Sequence, residues 1–359
     1  MGLSQLEYLY GLEHKKFSIN DRKFKIEEKK LIIRYIKQSG VSTLIFDHLQ
    51  NYKKGEYLYI DFNDIRVNSI QIMSQIDNFI KDKRIVLLIL ENFDFSFQIP
   101  QCEEIIITTQ YDKTINGFKT KDLFGLDFEE FLSFEKKFTA IEQTFNIFAN
   151  NGTYPQVYTT PSPNKIKVLQ QIIASTVDSK KELEILKTLS KHQSAKVSFY
   201  QLFKELKEEL KISKDMFYHY TKKLQESRHI IMVEKYNREN SAKKLYLIDF
   251  AIKNALSFEK DFIKRFENIV FLELYKRGYK LFYTDEIELF LPDENLGIFC
   301  IPFLPTNLLR TKIVKRKKYF KKLSVKKIEI ITLGNEGSFL DDGILYDIIP
   351  FWNWANSLS

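Results

Sequence analysis

The chain is poor in the residues that mark specialised folds: two cysteines, eight prolines and twelve glycines among 359 positions. Cys102 and Cys300 stand in apolar surroundings without a Cys-x-x-Cys spacing, which argues against a disulfide framework and a thiolate metal site. The five histidines, at 14, 48, 192, 219 and 229, have no metal-ligand spacing, so no metal site is expected. The scarcity of Gly and Pro excludes a low-complexity polymer, and no internal repeat is visible. Long apolar runs are missing too. The longest aliphatic stretch, Ile85 to Leu90, falls far short of the roughly 18 residues a spanning helix needs. Residues Met1 to Tyr10 include Glu7 and lack a basic segment followed by an apolar one, which predicts no secretory peptide, no membrane partner and a cytoplasmic location.

What is abundant is apolar and aromatic: 44% and 14% of residues, enough for two or three cores at this length. The net charge of +8 is unevenly spread. Residues 1 to 160 hold 20 Lys/Arg against 22 Asp/Glu, and residues 161 to 235 hold 15 against 9. Between Lys312 and Lys327 lie nine basic residues and no acidic one. Such a cluster fits a phosphate or acidic-surface footprint, and equally a solvated helix face, since no aromatic interleaving with Arg marks it.

Hydrophobic periodicity divides the chain. A strand over 30–36, a polar loop at 37–40 and a helix over 42–49 open the first region. The alternating YLYIDF (57–62), a helix around 70–81, and apolar strands at 85–90 and 105–109 follow. Strands separated by helices predict a parallel sheet. The cluster Thr159 to Pro163 marks a boundary. Beyond it, helices at 180–191, 198–210 and 213–227 lead into short strands at 230–234 and 245–249 joined by a polar turn, the layout of a winged helix-turn-helix. The last region reads as a helix over 264–278, strands at 280–283, 286–291 and 297–303, the basic helix, and strands at 328–332 and 346–350. The expected organisation is α/β: a parallel-sheet domain (1–160), a winged helix domain (161–250) and a small α/β domain (251–359).

Where a P-loop would read GxxxxGK[ST], this chain reads Tyr35-Ile36-Lys37-Gln38-Ser39-Gly40-Val41-Ser42-Thr43. The second Gly and the hydroxyl are kept; the phosphate-binding Lys is Val41 and the first Gly is Tyr35. Strand 85–90 ends in Glu91-Asn92-Phe93, and the next in Thr108-Thr109-Gln110. Then come Leu126-Asp-Phe-Glu-Glu-Phe-Leu132, Asn151-Gly-Thr-Tyr-Pro-Gln-Val157, Lys244-Leu-Tyr-Leu-Ile-Asp-Phe250, Phe266-Glu-Asn-Ile-Val-Phe-Leu-Glu-Leu274 and Ile348-Ile-Pro350. In this order the chain resembles, over roughly residues 25 to 355, a bacterial and archaeal family of ATP-binding proteins of the AAA-like superfamily. Members of that family read "GPRRVGKT", "LDEIQ", "TGSS", "PLSFEEFL" and "GGYPEV" at the first five of these places. The resemblance implies a P-loop NTPase-like first domain, a restriction-nuclease-like last domain, and binding of ATP with Mg²⁺, with Lys37, Gly40, Ser42, Thr43 and Glu91 at the nucleotide.

The chain departs from that pattern at each catalytic step. Asn92 stands where the water-activating Glu would be, and an amide cannot accept a proton. Residues 85 to 227 contain no Arg that could serve as a finger, and Lys119 or Lys121 would be a poor substitute for a planar fork. In the nuclease-like region, which the family carries as a metal-binding Asp strand followed by Glu-x-Lys, Glu288 could hold a metal, but Phe299 and Ile301 occupy the Glu and Lys places. Glu267 reads as a surface or interface carboxylate. In the third helix of the middle region, Phe217, Tyr220 and Leu224 should face the core, leaving Lys214, Tyr218, His219, Lys222 and Lys223 outside to meet nucleic acid.

These features predict an ATPase-like protein with degenerate Walker motifs that does not hydrolyse ATP. It would act as a scaffold for a protein partner or for DNA, through the winged helix and the basic helix at 312–327. No catalytic residue and no resident cofactor are expected. The alternatives are a working ATPase that uses Lys37 and Glu91 unconventionally, and a metal-dependent nuclease.

Overall fold

A computed structural model describes residues 4–14, 20, 22–134 and 140–358, which divide into two compact units, 1–125 and 126–359. In the first unit, α1 (Gln5–Gly11) precedes β1 (Lys30–Tyr35), α2 (Val41–His48), β2 (Tyr57–Asp61), α3 (Ser69–Lys83), β3 (Leu87–Glu91), β4 (Glu104–Thr109) and β5 (Lys119–Leu123). The five strands form one fully parallel sheet in the order β2-β3-β4-β1-β5. Parallel strands with helical crossovers bury both faces, and neighbouring residues divide between them. Leu31, Ile33, Tyr57, Leu87 and Ile89 pack with Val41, Leu44 and Ile45 of α2. Ile32, Leu58, Ile60, Leu88 and Leu90 pack with Leu6 of α1 and Ile72, Ile76 and Ile80 of α3. The three isoleucines of α3 each contribute about 1.5–3 kcal/mol by leaving water, so the amphipathic stripe and not helix propensity holds this element in place. Asn68 caps α3, its side chain accepting from Gln71 N at 3.1 Å.

The second unit opens with α4 (Phe128–Phe134), α5 (Ile141–Asn151), α6 (Pro155–Thr159) and α7 (Lys165–Thr176). Three helices, α8 (Lys180–Lys191), α9 (Phe199–Leu210) and α10 (Lys214–Glu226), surround a small antiparallel sheet of β6 (Ala195–Val197), β7 (Ile230–Val233) and β8 (Lys243–Leu247). Next come α11 (Ile252–Leu256), α12 (Phe262–Lys276), β9 (Leu289–Leu291), β10 (Leu296–Cys300), α13 (Thr306–Val314), α14 (Lys317–Lys322), β11 (Lys327–Thr332), β12 (Gly337–Asp341), β13 (Ile344–Pro350) and α15 (Phe351–Ser357). Here the sheet order is β12-β13-β11-β10-β9, parallel in its centre and antiparallel at both edges.

Several boundaries differ from the sequence expectations. Residues 126–160 pack with the second unit, not with the parallel sheet. Leu126 N donates to Thr153 O at 2.8 Å, and Phe128 N donates to Glu273 Oε1 at 3.0 Å. Lys276 Nζ, buried at the end of α12, donates to Leu126 O at 2.7 Å. The strand expected at 280–283 shrinks to isolated bridges at Phe282 and Tyr283. The basic helix is two short helices broken at Lys315–Arg316, and its last residue already belongs to β11.

Candidate nucleotide crevice and basic face

Because all five strands of the first unit run the same way, their carboxyl ends gather at one edge, where open parallel sheets bind ligands. Tyr35, Asp61, Glu91 and Thr109 end β1 to β4 there. The turn after β1 needs a left-handed residue to enter α2, and Gly40 provides it with φ 89°. Ser42 then sits in the first turn of α2 and its Oγ donates to Glu91 Oε1 at 2.5 Å. Tyr59 donates to the other carboxylate oxygen at 2.6 Å. Glu91 is only 2% exposed. Burial pushes its carboxyl above the usual carboxylate range and nearby Asp61 adds to the rise, while the two hydroxyl donors partly offset it.

Beside this pair runs a second chain of hydrogen bonds. The Tyr35 hydroxyl donates to Asn92 Oδ1 and accepts from Gln110 Nε2 at 3.1 Å. Asn92 Nδ2 donates to Asp61 Oδ1 at 2.6 Å, and Asn92 N donates to Thr108 Oγ1 at 3.0 Å. Asn92 takes φ 60°, a conformation Asn tolerates better than most residues. Burial raises the Tyr35 phenol to about 12, so it stays a neutral donor.

A P-loop site for Mg²⁺ and ATP needs a cation at the head of the helix, a free hydroxyl and a free carboxylate. The residues present do not fit that group. Val41, in the Lys place, is 6% exposed and packs in the core with Leu44. Ser42 and Glu91, which would flank the metal, bond each other. Among the described residues no group of three or more His, Cys, Asp or Glu stands close enough to hold a metal ion. Lys119 points to Glu28 at 2.8 Å and Lys121 to the same carboxylate at 3.9 Å, along the sheet edge. Lys37 lies in the turn, half-buried, and Thr43 is an exposed residue of the first turn of α2. Sequence reasoning brought Gly40, Ser42 and Glu91 together and missed Tyr59 and Asp61. The alternation of YLYID carries the missing signal, since it puts 57, 59 and 61 on one face of β2.

In the second unit, α10 is capped by Ser213, whose Oγ accepts from Met216 N at 3.2 Å. Its buried residues are Phe217, Thr221 and Leu224; Tyr220, expected in the core, is half-buried instead. Thr221 can be buried because its hydroxyl donates back to Phe217 O at 3.0 Å. Lys214, Tyr218, His219 and Lys222 are exposed as their spacing predicts. Lys223 is not available in the same way: it pairs with Asp178 and, at 3.6 Å, with buried Glu182. Of the 312–327 run, Arg316 meets Glu286, Lys317 meets Asp341, Lys321 meets Asp342 and Lys327 meets Glu329, while Lys312, Lys315, Lys318, Lys322 and Lys326 lie exposed.

Glu267 is no surface carboxylate. It is 4% exposed and accepts from Tyr246 at 2.8 Å and from buried Lys244 at 2.5 Å. Glu288, whose carboxyl burial and the neighbouring Glu267 push upward, accepts from Cys300 N at 2.7 Å. Phe299 is buried in the core beside Leu309 and Phe320.

No family model matches this chain. It is 24% identical, over an alignment of 396 positions, to an uncharacterized protein of Methanocaldococcus jannaschii, spanning 92% of this chain and 89% of that one. A Walker-type ATPase of Pyrococcus abyssi aligns in structure with a TM-score of 0.45 and 10% identity, over 63% of this chain and 90% of that one. That likeness is too distant to bear on the chemistry of the crevice. Among the described residues no helix is long and apolar enough to cross a membrane.

Proposed function

We propose that this protein is an ATPase-like scaffold that does not hydrolyse ATP and that binds nucleic acid through its second unit. The observation that carries the reading is the mutual bond of Ser42 and Glu91 beside a buried Val41. A nucleotide would have to break that bond, leave its β and γ oxygens without the usual lysine, and find Asn92 where a base should stand. On this reading residues 180–247 are a winged helix-turn-helix and residues 262–350 a nuclease-like module whose Glu267 and Glu288 are spent on internal bonds. A nuclease is disfavoured because Glu267 is buried and bonded to Lys244 and Tyr246, and half-buried Glu288 accepts from the Cys300 amide.

The test is calorimetry with Mg·ATP together with a phosphate-release assay. The expected result is a dissociation constant weaker than about 10 μM, roughly −7 kcal/mol, and no turnover. Val41→Lys should not restore turnover, since Asn92 and the Ser42–Glu91 closure remain. Tighter binding or turnover abolished by Glu91→Gln would replace the scaffold with a working ATPase.

A further inference from the structure

The second unit carries two tyrosines that a folded core has no use for. Tyr200 on α9 is 52% exposed and Tyr218 on α10 is 37% exposed. Each has a lysine ammonium over its ring, Lys204 at 4.7 Å from the Tyr200 centroid and Lys214 at 5.8 Å from that of Tyr218. Among the described residues neither ammonium has a carboxylate partner. Three acids of these helices are engaged elsewhere, Glu205 with His192, Glu208 with Lys207 and Glu226 with Lys222, leaving Glu209 on α9 and Asp215 next to Lys214. The two rings stand on adjoining helices: Phe199, which precedes Tyr200 on α9, meets Tyr218 of α10 edge-on at 6.3 Å. Phe217 braces Tyr218 at 5.7 Å and 90°, which fixes the ring's orientation.

We infer that this face binds single-stranded nucleic acid, with the Tyr200 and Tyr218 rings as stacking platforms and Lys204 and Lys214 as phosphate contacts. The inference rests on the scaffold reading above and names its ligand. An exposed ring can stack on any unpaired base, whereas the bases of a duplex offer only their edges. Each lysine reaches its ring by a flexible stem, so an arriving base shifts the ammonium toward the phosphate it brings, and no charge is buried. A groove-reading helix presents Arg, Lys, Asn or Gln toward the base edges. Of the exposed residues of α10 named above, Lys214 and Lys222 are of that kind, but Lys214 lies over the Tyr218 ring and Lys222 pairs with Glu226.

The experiment uses the full chain and fluorescence anisotropy with a labelled oligothymidylate of about 15 nucleotides, the matching duplex, and oligouridylate. The single strands should bind more tightly than the duplex. Tyr200→Leu and Tyr218→Leu should each weaken binding about 10-fold or more and the pair about 100-fold, while Tyr→Phe at both places keeps affinity within a few-fold. Lys204→Ala with Lys214→Ala should lower the salt slope by up to about 1.4. All four residues are exposed, so circular dichroism and melting should match the parent and exclude misfolding as the cause. A duplex bound as tightly as the single strand, Leu variants with unchanged affinity, or no binding of any oligonucleotide overturns the inference. The same preparation tested with Mg·ATP separates the two readings: turnover breaks the scaffold and leaves this face untouched, whereas a duplex bound as tightly as the single strand, without turnover, breaks this inference alone, and no binding of any oligonucleotide breaks both the inference and the nucleic-acid half of the scaffold reading.

Discussion

Two carboxylates close two of the chain's sequence landmarks, and they do so differently. Asp249, completely buried after β8, receives Thr153 N, Thr153 Oγ1 at 2.8 Å and Ala251 N at 2.8 Å. Two of its three donors are backbone amides, so its shell is set by the path of the chain. Glu91 receives two side-chain hydroxyls, those of Ser42 and Tyr59, at a sheet edge that parallel folds use for ligands. A shell built from backbone is part of the architecture, whereas one built from hydroxyls is set by side-chain rotamers. The crevice of the first unit is therefore a site occupied by its own residues, and the Asp249 clamp is a fastening for residues 126–160.

The sharpest break of that contrast is Gly152→Ala. A Cβ there would stand well inside van der Waals contact of both Asp249 oxygens, and the backbone already has φ +84°. Both the clash and the left-handed strain oppose any side chain, and relief requires moving a buried charge off its amides. The expected loss is about 4 kcal/mol or more, read as a drop in the denaturant midpoint or as failure to accumulate folded protein. A loss under about 1 kcal/mol would show that the clamp yields and that the two shells are equally soft.

Glu91→Gln probes the other shell and should cost only about 1–2 kcal/mol, because the hydroxyls can turn to suit an amide. Its pH dependence carries a sign. The folded-state pKa of Glu91 lies above its ordinary value of 4.5, so folding favours the protonated form. That contribution is fully present below about pH 4.5 and is lost as pH rises through the folded value. The amide does not titrate, so the deficit of Glu91→Gln against the parent should shrink as pH rises from about 4.5 to 7. Urea denaturation at both pH values checks this, and a deficit that grows with pH would mean the ionised carboxylate is the stabilised form.

The frame of the crevice was legible because burial writes itself into the sequence. The apolar runs of β1, β3 and β4 and the Gly40 turn gave strand, loop and helix in the right places. What closes the crevice was not legible, since Asp61 reaches Asn92 only because β2 pairs with β3 in the register Asp61↔Glu91. Edge strands escaped for a related reason: KTKDL of β5 and GSFLD of β12 are half-exposed and lack apolar alternation. The break in the basic helix has no Gly or Pro to announce it. The burial of Glu267 is equally silent, because its partners Lys244 and Tyr246 come from β8, more than twenty residues away.

A third carboxylate places the basic face on the same scale. Glu182 fastens the head of α8: its N–H donates to the N-cap Ser179 Oγ at 3.1 Å and its Oε2 accepts from Asp178 N, just before the cap, at 2.9 Å. Lys223 approaches that oxygen at 3.6 Å from α10, whereas its neighbour Lys222 meets only exposed Glu226 at 3.5 Å. Lys223→Ala leaves a buried carboxylate short of its counter-charge, but the lysine is 35% exposed and solvent screens much of the pairing. The expected cost is about 1 kcal/mol, against less than about 0.5 kcal/mol for Lys222→Ala. Chemical denaturation of the two single variants measures the difference. Equal, negligible losses would return Lys223 to the exposed set that the helical spacing alone predicts, and would widen the basic face by one charge.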